Sequence, residues 1–262
     1  MKQFRGLLMK EWIQMKGWLY VLLVMGAFIL VVGPTSLKRV FGLADSIGTI
    51  GFMTGLTLIF FHSIVVLLMF ITTLNKDMAR QDIWFHTPAS MFKVIVAKLI
   101  FSVFVVSVSI VFISTITFGY LSTTLENTTT KLEVINFALL VDGAIIFGSM
   151  YVACIGFFFW VIFHTIRMKI RMLAGPITII LFFFINYWWD KILSSPFFTN
   201  LFSMMGDIPF ERLSASDVME KTFSFDLYVG PSAQLGELLF IAITTILLFV
   251  LSVIWFDKKV RV

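Results

Sequence analysis

"VIVAKLIFSVFVVSVSIVFISTITFGY", residues 94–120, carries a single charge, Lys98, in a run long enough to cross a bilayer as a helix. A surface helix of a soluble domain would interrupt such a run with polar residues at every turn. The same pattern recurs outward from it in both directions. Residues 18–32, stopped by Gly33-Pro34, and residues 50–74 precede it; residues 137–163, 172–189 and 235–256 follow. Of the 262 residues 59% are apolar and 13% charged, against about 25% charged in an average soluble domain. A globule with so little charge cannot cover its own surface, so the surplus apolar surface must face lipid. The fold class predicted is an all-α integral membrane protein with six transmembrane helices. It forms one domain over residues 1–262, without internal repeat, low-complexity tract or soluble module.

The placement of Lys and Arg sets the orientation. One side of the predicted membrane holds Lys2, Arg5, Lys10, Lys16, Lys76, Arg80, Lys93, Lys98, Arg167, Lys169, Arg171, Lys258, Lys259 and Arg261, 14 of the 20 cations. The other six are Lys38, Arg39, Lys131, Lys191, Arg212 and Lys221. Both termini are therefore expected in the cytoplasm of a plasma-membrane protein. The acidic residues agree, since Asp190, Asp207, Glu211, Asp217, Glu220 and Asp226 crowd the predicted outer loop at 190–234. Tyr187, Trp188 and Trp189 end the fifth span as amphipathic rings at headgroup depth. Within the loop, "ILSSPFFTNLFSMM" (192–205) is too apolar for a solvated loop and too short to span. It is expected to lie in the interface or to dip into the bilayer. Met1 to Lys16 is long, basic and followed by no small-residue cleavage site, so it reads as retained rather than as a signal peptide.

Several functions lose support at this stage. The net charge of +5 is spent on orientation and gives no reason to expect nucleic acid. Cys154 lies in an apolar run without a second cysteine and reads as a small core residue. There is no H-E-x-x-H, no adjacent Glu pair and no G-x-S-x-G, so no catalytic residue and no metal site is expected. Of the histidines, only His62 lies deep in a span, where it reads as a polar contact between helices or a transport-path group; His86 and His164 lie nearer the cytoplasm. Asp142 in span four and Glu237 at the start of span six are intramembrane acids. With His62 they form a possible translocation path, or each acid reaches the headgroups. Gly51 and Gly55 have the spacing of close helix packing. Gly175-Pro176 is expected to loosen the first turn of span five, or to serve there as a hinge.

Two cytoplasmic elements carry the functional signal. Over Phe4 to Lys16, Phe4, Leu7, Leu8, Trp12 and Met15 share a helical face flanked by Lys2, Arg5, Lys10 and Lys16. This predicts an amphipathic helix over 1–17, lying along the inner leaflet before the chain turns into span one. Glu11 falls within the apolar arc, which requires either snorkelling, pairing with a lysine, or a buried contact to another cytoplasmic element. The second element, 75–93, contains "DIWFHTPASMFK" (82–93). A hairpin that merely turned would use a few Gly, Asn or Asp residues. Trp84, Phe85 and Phe92 instead imply burial against a partner, because large aromatics are interface anchors. Thr87 and Pro88 suit the cap and first turn of a short helix. A helix packing on lipid alone is the competing reading.

These elements together resemble the membrane subunits of ABC-2-type ATP-binding-cassette exporters. The points of resemblance are six spans, an N-terminal elbow helix with a Lys10-Glu11 pair and Lys16 before span one, and a charged segment after span two. That segment runs from Asp82 through "HTPAS" (86–90) to Lys93 and Lys98. The long loop between spans five and six also matches, whereas "FHT" stands where the family commonly has Leu before the Pro. The resemblance implies an export permease that works as a homo- or heterodimer, moving an amphipathic or hydrophobic cargo such as a peptide, a drug or a lipid-like molecule. It implies that Asp82, Trp84, Phe85, His86, Pro88, Ser90, Phe92 and Lys93 form a coupling helix for two separate ATPase subunits. Lys10, Glu11, Trp12 and Lys16 would belong to the elbow. No G-x-x-x-x-G-K-[ST] occurs, so ATP and Mg would sit on the partner ATPase and this chain would bind no cofactor. The alternative is a non-transporting membrane partner: a sensor, immunity or assembly factor.

Overall fold

The computed structural model describes residues 2–42, 47–79, 90–124, 131–209 and 232–259. Helices α1 (Lys2–Phe41), α2 (Ile47–Met78), α3 (Met91–Thr124) and α4 (Lys131–Arg167) are followed by α5 (Ala174–Leu193) and the short α6 (Pro196–Ser203). Strands β1 (Asp207–Pro209) and β2 (Ser232–Gln234) then pair antiparallel, and α7 (Leu235–Lys259) closes the described chain. All of these helices except α6 are long and apolar enough to cross a membrane, giving the six expected spans. The protein is a multi-pass membrane protein by this architecture. The three-residue strands are an addition to the all-α expectation; they flank residues 210–231, which lie outside the described residues.

The N-terminal region departs from expectation in two ways. First, the separate elbow helix is not seen, because α1 runs unbroken through Gly17 for 40 residues. That is about 60 Å of helix, twice the thickness of the hydrocarbon. Gly17 is of the type that often ends a helix, but no proline follows to enforce a stop, and the helix continues. Second, Gly33-Pro34 does not stop α1, which continues to Phe41 with Pro34 inside it. A proline in a helix removes one hydrogen bond and frees the carbonyl four residues earlier. Here that carbonyl belongs to Leu30, and the Tyr120 hydroxyl donates to it at 2.9 Å. The neighbouring helix supplies what the proline removed.

The contacts fall into two compact units. The first takes α1, α2 to Lys76, α3 from Lys93 and α4 to Val152. The second takes α4 from Ala153, then α5, α6, the two strands and α7, together with the residues leading to Phe92.

In the first unit α3 is the central helix. Of its most apolar stretch 61% is buried, against 17% for α1. Glycine lets α2 approach it closely. A Cβ on Gly51 would lie 2.7 Å from the Tyr120 ring, and one on Gly55 would meet the Thr117 side chain. The small-residue spacing read from the sequence is thus a packing face. Phe52, Phe118 and Leu121 form a core there, with Phe137 of α4 edge-on to Phe118 at 5.8 Å between ring centres.

In the second unit the packing is aromatic. Phe157 and Trp160 of α4 stack at 6.0 Å, and their rings meet Phe249 and Phe256 of α7 at 5.7 and 5.5 Å. Phe159 meets Phe182 of α5 at 5.1 Å. The apolar stretch 192–205 yields α6, which begins with Pro196 at its first turn. Phe198 and Phe202 of α6 pack on Phe240 of α7, where Trp189 also stacks. A Cβ on Gly236 would come within 2.9 Å of the Phe202 backbone, so only glycine admits this approach.

Candidate functional site

A polar seam runs along the first unit, assembled by the central helix. Lys98 stands about two turns into α3, and its ammonium donates to a Glu11 carboxylate oxygen at 2.8 Å. Both side chains are fully buried, at 0% and 2% exposure. Trp12, next along α1, meets Phe101 edge-on at 6.0 Å, and Met15 is buried one turn after Glu11. The amphipathic face predicted for the N-terminus is therefore the sheltered face, and a protein helix shelters it at Glu11 and Trp12. Of the readings open for Glu11, pairing with a lysine and a buried contact are both realised, in the same interaction. The other Glu11 oxygen makes no hydrogen bond among the described residues. Lys10 and Lys16, the cations on either side of Glu11 and Trp12, are exposed.

Ser102 and Ser109 extend the Lys98 face of α3 at helical spacing, both fully buried. Ser109 meets His62 of α2, with 3.2 Å between Oγ and Nε2. The other His62 nitrogen, Nδ1, donates to the Leu58 carbonyl at 2.7 Å. A carbonyl can only accept, so in the neutral ring Nε2 accepts from the Ser109 hydroxyl. His62 thus serves as a polar contact between α2 and α3. On another face of α3, Ser114 hydrogen-bonds Asp142 of α4, and both are buried.

Of the three residues read as a possible translocation path, His62 and Asp142 belong to the first unit and Glu237 to the second. His62 and Asp142 engage α3 separately through Ser109 and Ser114, while Glu237 is exposed on α7. Asp82, Trp84, Phe85, His86 and Pro88 lie outside the described residues. Ser90, Phe92 and Lys93 are exposed, and the Phe92 ring meets Phe249 at 6.4 Å. Among the described residues no three His, Cys, Asp or Glu side chains gather as a metal site would require. The sequence reading missed the serines of α3. The signal was present: Lys98, Ser102 and Ser109 repeat at spacings of four and seven, one face of an otherwise hydrocarbon helix.

The seam includes a hydroxyl–imidazole pair, Ser109 with His62, buried between α2 and α3. What it does physically is fix α3 to its three neighbours by directional bonds, which hold register better than dispersion does. Comparison with known proteins adds no assignment: no family model, no curated protein and no solved structure matches the chain.

Proposed function

We propose that this chain is the membrane-spanning permease subunit of an ATP-driven exporter of the ABC-2 type, powered by a separate ATPase. The observation that carries the reading is the place of α3. The aromatic, cationic segment 82–93 leads directly into α3, and α3 is the helix to which α1, α2 and α4 of the first unit are bonded. A displacement imposed at that segment by a closing ATPase would act on the start of this helix. Lys98 would pass the displacement to α1, Ser109 to α2 and Ser114 to α4. A motor acting anywhere else along the first unit would find fewer helices in its grip. The 14-to-6 bias of cations supports a cytoplasmic position for the segment, where an ATPase would be. In this reading the permease works as a dimer, homomeric or with a paralogue, and its cargo is amphipathic or hydrophobic.

The test is co-purification in mild detergent. The wild-type chain is expected to bring down an ATPase carrying the phosphate-binding loop that this chain lacks. Trp84→Ala with Phe85→Ala is expected to lose it while still inserting in the membrane, since two interface anchors together contribute roughly 2–4 kcal/mol. Isolation of the wild-type chain without any ATPase would return the protein to the class of non-transporting membrane partners.

A further inference from the structure

From the turn after α4 and the end of α7, we infer a docking surface for anionic phospholipid headgroups. The residues from Arg167 to Leu173, "RMKIRML", are all exposed, with Met172 at 92%. Cations at 167, 169 and 171 alternate with Met168, Ile170 and Met172. The turn is tight: the Met168 amide donates to the His164 carbonyl, and those of Lys169 and Ile170 donate to the Ile166 carbonyl.

Tertiary structure adds a second cationic strand of chain to this end of the unit. Trp160 meets Phe256 at 5.5 Å and His164 at 4.3 Å, which fixes the last turns of α4 and α7 beside each other. Beyond that aromatic layer, Arg167 lies about 10 Å further along α4 and Lys259 about 5 Å further along α7, at 1.5 Å per residue. The exposed Lys258 and Lys259 therefore join Arg167, Lys169 and Arg171 at one end of two membrane-spanning helices. Asp257 is the one acidic residue within these two stretches. A surface at that depth meets headgroups first. Its cations attract phosphate, and the apolar side chains of Met168, Ile170 and Met172 can enter the acyl boundary, so both residue classes find their chemistry in an anionic leaflet. Water satisfies only the cations, and a rigid protein surface would need a matching cleft for each apolar side chain.

The experiment reconstitutes the purified protein in vesicles of equal parts phosphatidylcholine and phosphatidylglycerol. The protein is then extracted with its retained lipid, and the two lipids are counted by mass spectrometry. The wild type should retain phosphatidylglycerol in excess. Arg167→Gln, Lys169→Gln and Arg171→Gln together should cut that excess at least about fivefold, the factor expected from loss of even one surface cation. Removing the two charges at Lys38 and Arg39 on α1, as many as at Lys258 and Lys259, should leave it unchanged. If the triple variant does not insert, Lys258→Gln with Lys259→Gln reads the same surface. An undiminished excess in the inserted variants overturns the proposal. So does an unchanged excess accompanied by loss of a co-purifying protein, which would assign the turn to protein docking.

Discussion

The two units solve the same problem, holding apolar helices together where lipid is as apolar as their side chains, by different means. In the first, helices are joined at a few directional points: Lys98 to Glu11, Ser109 to His62, Ser114 to Asp142, and Tyr120 to the carbonyl freed by Pro34. In the second, rings stack on rings from Phe157 to Phe256 and from Trp189 to Phe202. Directional bonds specify one register and fail abruptly when a partner is lost. Ring packing tolerates small shifts because its contacts are many and individually weak. The unit that contains α3 is thus held in register at a few points, and the aromatic unit over a broad packed surface.

The largest effect should come from stranding a charge in the first unit. Lys98→Met leaves the Glu11 carboxylate buried and unpaired, and should lower stability in detergent by about 3–5 kcal/mol. Adding Glu11→Leu should recover most of that loss, because a well-packed apolar pair of similar size is near neutral. If thermal unfolding finds the double variant as weak as the single one, the pair is not the unit of stability proposed.

Phe157→Ala tests the other half of the comparison. It removes a fully buried ring that touches Trp160 and Phe249, at a cost of roughly 3 kcal/mol, with no polar group left unsatisfied. Since no charge is stranded, refilling the space with Leu should restore most of it. A ring-specific loss that Leu cannot repair would place directional contacts in the second unit as well.

Tyr120→Phe sharpens the account of the proline. Losing the hydroxyl should cost about 1 kcal/mol while Pro34 is present, the value of one hydrogen bond. With Pro34→Ala, the backbone supplies its own donor to Leu30, and the same change should cost distinctly less. A double-mutant cycle in thermal unfolding reads the difference. The smallest effect is expected at Ser109→Ala, about 0.6 kcal/mol, as is usual for one hydrogen bond between membrane helices.

Much of the architecture was legible because hydropathy is a property each helix has alone. The six apolar runs appear as the six long helices, with their ends moved outward by several residues wherever flanking polar residues continue the helix. Glu11 was legible as an anomaly, an acid inside an apolar arc, but its partner lies 87 positions away, beyond any local pattern. Pro34 shows the limit from the other side. Local chemistry ends a helix at Gly33-Pro34, and only a tyrosine from another span makes continuing affordable. The turn expected near residue 17 failed for a similar reason: amphipathicity marks a face to be covered, and α3 covers it from within the protein.

By itself, then, the sequence determined that this is a multi-pass membrane protein, that six of its described helices are long and apolar enough to span, and which of their residues are out of place in lipid. Tertiary structure decided which of those misplaced residues meet, and that α3 is the helix at which they meet. The physical reason is that transfer from water to hydrocarbon is summed over single residues, whereas a hydrogen bond or an ion pair exists only between two faces brought together.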